Sequence, residues 1–85
     1  MKIRFTKNFI ARSKLLRQAE RQKLEVRMVL FAQDISHAQL RNHSLRGKWS
    51  GYRSIDITGD VRALYFTVDD EVVFDQIGTH SQLYG

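Results

Sequence analysis

Polar and apolar residues alternate through Lys2-Ile3-Arg4-Phe5-Thr6. This is the pattern of a short half-buried strand, because successive side chains on a strand point to opposite faces. From Lys7 to about Asp34 the period changes. Phe9, Leu16, Leu24, Met28, Phe31 and Ile35 recur at three-, four- and seven-residue steps with occasional jumps, and no Gly or Pro intervenes, which predicts helix. As one rod, these 28 residues would extend about 42 Å. A globule of 85 residues has a radius of gyration of only about 12 Å. A break is therefore expected near residues 19–22, giving two amphipathic helices folded as a hairpin; an unbroken helix used in dimerisation is the alternative.

Residues 36–50 lose periodicity and carry Asn42, His43, Ser44, Gly47 and Ser50, so they read as a long surface connection, a length often associated with function. Three strand-like segments follow, 52–57, 61–67 and 71–77, separated by Thr58-Gly59-Asp60 and Val68-Asp69-Asp70. In the first, Ile55 and Ile57 share a face with Arg53, while Tyr52, Ser54 and Asp56 take the other, so one face is expected in the core and one polar. The order β-α-α-β-β-β predicts an α+β fold, a small antiparallel sheet with a helical hairpin packed on it.

At 85 residues the chain has room for one domain, 1–85, with a modest core. The absence of cysteine excludes disulfide staples, thiolate metal sites and cysteine nucleophiles, and fits a reducing compartment. The longest apolar runs, such as 29–32, are far too short to cross a membrane, and Met1 to Phe5 lacks the apolar stretch of a signal peptide. A soluble cytoplasmic protein is expected. Charge is more informative. Fourteen Lys and Arg against nine Asp and Glu give +5; residues 1–53 hold 13 basic and 3 acidic side chains (+10), and 54–85 hold one basic and six acidic (−5). A basic face attracts phosphate backbones but carries no sequence information, and on charge alone a generic nucleic-acid or acidic-partner binder is a commoner meaning than an enzyme.

His43 and His80 fall outside the predicted elements, in segments rich in Gly, Ser and Thr. Histidine gives or takes a proton near neutral pH, its ordinary pKa being about 6.5. Two of them at an RNA phosphate can divide strand cleavage. One takes the proton from a ribose 2′-hydroxyl, which attacks the adjacent phosphorus, and the other protonates the departing 5′-oxygen; no metal or cofactor is required. Arg46, Lys48 and Arg53 lie near His43 in sequence and are candidates to offset charge on the phosphorane. On spacing alone, two ordinary surface histidines are the plainer reading. His37 follows the helical stretch and suits a helix C-terminus, where unpaired carbonyls collect. Trp49 and Tyr52 bracket Ser50-Gly51 and either stack on a base or cover an edge of the core. The histidines lack zinc-site spacing, and no phosphate-cradling glycine loop is present.

The stretch His43-Ser44-Leu45-Arg46-Gly47-Lys48-Trp49-Ser50-Gly51-Tyr52-Arg53, followed by Asp60, Leu64-Tyr65 and Gly78-Thr79-His80-Ser81-Gln82-Leu83-Tyr84, closely resembles the YafQ branch of the RelE toxin superfamily. The N-terminal half agrees with it in length, basic character and strand-helix-helix pattern. The resemblance implies a RelE-like fold and a toxin of a bacterial type II toxin–antitoxin module, acting as a ribosome-dependent mRNA interferase that cuts messages in the ribosomal A site. It puts His43 and His80 at the family's catalytic histidines and Asp60 at its catalytic aspartate. Asp60 would orient or polarise a histidine or contact the ribose; a plain turn aspartate after Gly59 is the alternative. Tyr84 stands at a site aromatic, often Phe in the family, and Lys48 and Arg53 at basic positions that meet phosphate. Asp56 departs from the pattern, which has another active-site histidine there. An aspartate is no cationic donor near pH 7 and repels phosphate, so the substitution predicts altered activity or another base in its place.

The resemblance also implies partners: the 70S ribosome, mRNA, and a small antitoxin, often with a ribbon-helix-helix DNA-binding domain, whose tail wraps the toxin. Two toxins with two antitoxins is the common assembly, and a monomer is expected for the free chain. The rival reading is a relative that binds antitoxin and ribosome or RNA without cutting. A general basic RNA-binding module would leave the Gly78-to-Tyr84 motif unexplained.

Overall fold

The computed structural model describes residues 1–85. Strand β1 (Lys2–Phe5) leads into α1 (Lys7–Ser13) and α2 (Gln18–Gln33), after which come a 3-10 turn (Ala38–Leu40), the two-residue β2 (His43–Ser44) and a second 3-10 turn (Gly47–Trp49). The chain closes with β3 (Arg53–Asp56), β4 (Val61–Val68), β5 (Glu71–Thr79) and α3 (His80–Tyr84). The strands form one sheet in the order β1-β5-β4-β3-β2.

The helix break falls earlier than the expected 19–22. Thr6 caps α1 by accepting from the Phe9 amide at 3.1 Å. The chain then turns through residues 14–17, and the Arg17 amide donates to Glu20 Oε1 at 3.0 Å, satisfying an orphan donor at the start of α2. This amide, with the Arg17 guanidinium at 3.3 Å, holds the Glu20 carboxyl below its ordinary range. Five of the six predicted apolar positions face inward: Phe9 and Phe31 are buried and Leu16, Leu24 and Met28 pack partly against them, whereas Ile35 lies past the end of α2 and is exposed. His37 does not close α2. Its Nδ1 accepts from the Gln39 amide at 3.1 Å and so caps the following 3-10 turn.

Three of the four strand pairings are antiparallel, but β1 runs parallel to β5, Lys2 opposite Glu71 through Phe5 opposite Phe74. The sheet is therefore mixed rather than wholly antiparallel. Most of the chain separates β1 from β5, so no tight turn dictates their relative direction.

The helix-covered face holds Ile55, Ile57, Val61, Ala63, Tyr65, Val72, Phe74 and Ile77 against Phe9, Phe31 and Leu40. Phe31 meets Tyr65 and Phe74 edge-on, ring centroids 5.2 Å from each. A bulge makes this face continuous. Leu64 pairs with Gln76 but Tyr65 with Phe74, so Asp75 is the extra residue. In a regular strand the period of two would turn Phe74 and Ile77, three residues apart, to opposite faces. The Asp75 carbonyl accepts from Asn8 Nδ2 at 2.8 Å, anchoring α1.

The opposite face is not polar, as the alternation at β3 suggested. Ser54, Leu64, Val73 and Leu83 on this side are all buried, and α3 packs against β5.

Candidate active site

Strand register gathers the candidate residues. His43 lies opposite Ser54, Asp56 opposite Arg62, and Arg62 opposite Gly78. One residue beyond β5, His80 begins α3. The result is a cleft of about 550 Å³ lined by Arg41, Asn42, His43, Leu45, Ser54, Asp56, Arg62, His80 and Tyr84. Four of the residues singled out from sequence, His43, Asp56, His80 and Tyr84, thus share one wall-to-wall space.

His43 Nδ1 lies 2.7 Å from the carbonyl oxygen of Arg41. A carbonyl only accepts, so Nδ1 carries the proton, and in the neutral ring Nε2 is left unprotonated. The segment that delivers His43 is pinned by its neighbour. Asn42 Nδ2 donates to the Ile35 carbonyl at 2.9 Å and to the Tyr65 hydroxyl at 2.7 Å, and its Oδ1 accepts from Arg53 Nε at 2.8 Å. Asp56 sits between two arginines, with Oδ1 3.0 Å from Arg62 Nε and Oδ2 3.6 Å from Arg41 Nε. The Ser54 hydroxyl is buried and has no hydrogen-bond partner.

On the other side, His80 and Tyr84 share the short α3, ring centroids 4.8 Å apart. Five residues do not make a stable helix unaided, and the chain supplies three anchors. Thr79 Oγ1 accepts from the Gln82 amide at 3.2 Å while Gln82 Oε1 accepts from the Thr79 amide at 2.8 Å, a capping box. Leu83 is buried, and Trp49 Nε1 donates to the Leu83 carbonyl at 2.9 Å. Gly78 makes room for this end: a Cβ there would stand 2.8 Å from Gln82 Oε1.

The other predicted residues lie outside the cleft. Asp60 is in the β3–β4 turn, exposed, its amide on Thr58 Oγ1 at 3.2 Å. Arg53 is engaged with Asn42 and lines a neighbouring hollow with Ile35, Ser36, Tyr65 and Thr67. Trp49 packs edge-on against Tyr52 with centroids 5.2 Å apart, which favours the structural side of the two readings open for it. Lys48 lies over the Trp49 ring at 5.3 Å, and Arg46 is exposed beside the second 3-10 turn. The Tyr52 phenol is pushed above its ordinary range by burial and by its hydrogen bond to Asp75 at 2.8 Å. Sequence reasoning missed Arg41, Asn42 and Arg62. No grouping of His, Asp and Glu side chains is arranged to hold a metal ion.

All 85 residues match the family described as bacterial toxin of type II toxin-antitoxin system, YafQ. The chain belongs to the YafQ toxin family. It is 35% identical over 48 residues to the mRNA interferase toxin YafQ of Escherichia coli, a stretch covering 56% of this chain and about half, 52%, of that relative. A crystal structure of YafQ from E. coli superimposes with a TM-score of 0.82 at 26% identity, covering 99% of this chain and 98% of that one. YafQ in the E. coli DinJ-YafQ toxin-antitoxin complex gives a TM-score of 0.79 at 27% identity, covering 99% and 97%. A YoeB/ParE toxin from Agrobacterium tumefaciens shares the fold at 19% identity, TM-score 0.74, covering 94% and 99%. No helix is long and apolar enough to cross a membrane.

Proposed function

We propose that this YafQ-family chain is an mRNA endoribonuclease, the toxin of a type II toxin–antitoxin module, and that its cleft cuts a message presented by the ribosome in the A site. The observation that carries this reading is the pair His43 and His80 lining one cleft with His43 held as the Nδ1–H tautomer. The free Nε2 of His43 takes the proton from the ribose 2′-hydroxyl. The 2′-oxygen then attacks the adjacent phosphorus, and the bond to the 5′-oxygen breaks. His80 gives that oxygen its proton, leaving a 2′,3′-cyclic phosphate and a 5′-hydroxyl. Tyr84 backs the His80 ring and offers an aromatic face to a base. No cofactor takes part. Arg46 and Lys48 lie on the exposed segment leading from His43, where they meet backbone phosphate electrostatically. Asp60 acts through the turn that sets Asp56 and Arg62 opposite each other rather than on the substrate.

The domain is the whole of 1–85, working in the cytoplasm as a free monomer and held in check by a small ribbon-helix-helix antitoxin in a two-plus-two complex. An apolar hollow of Phe5, Phe9, Ile10, Leu24, Met28 and Val29 lies on the basic half of the chain, +10 over residues 1–53, and suits an acidic amphipathic antitoxin segment.

Primer extension on a defined message in a reconstituted translation reaction tests this. Cuts are expected with the wild type only when ribosomes are present, and they disappear in His80→Ala and His43→Ala. Folded wild type that makes no cuts would transfer the assignment to a binding relative that does not cleave.

A further inference from the structure

The two arginines on Asp56 are not equivalent. The Arg62 side chain is 21% exposed, and its Nη1 donates to the carbonyls of Thr58 and Gly59 at 3.1 Å and of Val61 at 3.4 Å. It is committed to the β3–β4 turn. The Arg41 side chain is 77% exposed and touches one charged group, Asp56, through Nε. Its two terminal nitrogens are free.

The backbone at Arg41 is also unusual. It is in the left-handed region at φ 49°, ψ 44°, which costs a residue with a Cβ about 1 kcal/mol. Arg41 is the left-handed C-cap of the Ala38–Leu40 turn, its amide donating to the Ala38 carbonyl at 3.2 Å, and it is held between fully buried Leu40 and triply bonded Asn42. The ion pair is long at 3.6 Å and its Arg41 end is open to solvent, while the Asp56 carboxylate is largely covered, so it contributes little to stability. The cap fixes where the Arg41 side chain leaves the backbone, at the wall of the cleft.

We infer that Arg41 is a phosphate-binding residue of the cleft, aimed by Asp56. The Arg41 guanidinium uses its Nε to rest on the carboxylate and presents Nη1 and Nη2 to a phosphodiester oxygen pair of the bound strand, a geometry its planar fork allows and a lysine does not. Asp56 is a positioning residue. Its negative charge does not repel the substrate, because two arginines against one carboxylate leave the cluster net positive. The inference rests on the cleft being an RNA site, and it extends that reading to a residue no sequence motif marked.

Binding and cutting are measured separately. The probe is a fluorescein-labelled 2′-O-methyl RNA trinucleotide, which lacks the attacking hydroxyl, followed by anisotropy across a salt series. Arg41→Ala is expected to weaken binding about 5–10-fold and to flatten the dependence of log K on log salt by about 0.7, one phosphate contact on a single strand. Its urea midpoint stays at the wild-type value. Arg41→Lys keeps the salt slope but binds more weakly than wild type. In an Asp56→Asn background the Arg41→Ala penalty falls to less than half, since the fork is no longer aimed. Arg41→Ala with wild-type affinity and slope overturns the assignment, as does a wild type that does not bind the probe. Strict additivity with Asp56→Asn removes the positioning role. Cleavage in the translation reaction is scored beside it. Wild type that binds the probe yet cuts nothing fails the enzyme reading, while the salt slope still decides Arg41.

Discussion

Trp49→Phe separates a hydrogen bond from a ring. The indole Nε1 donates to the Leu83 carbonyl at 2.9 Å, and phenylalanine keeps an aromatic surface against Tyr52 while deleting the donor. The acceptor sits in the last turn of a five-residue helix, near the chain end, so water replaces the donor when α3 lifts. The loss is then the net value of one bond, about 1 kcal/mol, or about a fivefold rise in the population with α3 undocked. Amide exchange followed by NMR reads this directly. Gln82 and Gly85, whose amides bond to Thr79 Oγ1 and to the Ser81 carbonyl, are expected to exchange about five times faster in the variant. Phe9 and Ile10 at the start of α1 open independently of α3 and keep their rates. If Trp49 instead serves only as a stacking platform for RNA, α3 exchange is the same in both proteins, and that equality would refute the reasoning. Leu83→Ala is the stronger form: removing a buried leucine side chain costs about 2–5 kcal/mol, enough to release α3 and take His80 and Tyr84 out of the cleft with the fold otherwise intact by circular dichroism.

Three further outcomes are expected. Burial and the Asp75 hydrogen bond raise the Tyr52 phenol above its ordinary value, so the folded chain holds that proton more tightly than the unfolded one. The resulting stability is complete below about pH 10 and lost as pH rises past it; urea unfolding at pH 8 and pH 11 should show a smaller alkaline loss for Tyr52→Phe, and equal losses would count against the coupling. Ser54→Ala removes a buried hydroxyl without a partner and is expected to raise stability by about 1 kcal/mol, seen as a higher urea midpoint; a fall would mean that the hydroxyl finds a partner in solution. Asn42→Ala deletes three hydrogen bonds from the segment carrying Arg41 and His43, so about 2 kcal/mol of stability and most cleavage should be lost together, whereas unchanged cleavage would show that His43 is positioned without it.

What was legible in the sequence was whatever has a local signature. Alternation at residues 2–6 and the turn residues at 58–60 and 68–70 marked strands, and the inward positions Phe9, Leu24, Met28 and Phe31 marked helices. The burial of both sheet faces has its own signal: Val72-Val73-Phe74 is a continuous apolar run, the mark of a strand covered on two sides, and all three are buried. The helix break was encoded by Glu20 reaching back to the Arg17 amide, a cap recognisable only once the Ser or Thr ordinarily sought at that position is not required. The parallel β1 had no local signal, because its partner lies at the other end of the chain.

Asp56 shows where residue-by-residue comparison stops. Taken singly, it is a group that cannot donate and that repels phosphate. In the fold it is the counter-ion of Arg62, placed opposite it by the β3–β4 register, and of Arg41, brought from a loop by a left-handed backbone that no glycine announces. Two arginines from other elements face the one carboxylate, so the cluster is net positive. The consequence is specific. If the clamp is the working unit, removing the Asp56 charge alone does not improve RNA binding, although a single-residue Coulomb argument requires that it should; the sign of that one change separates the two views of the site.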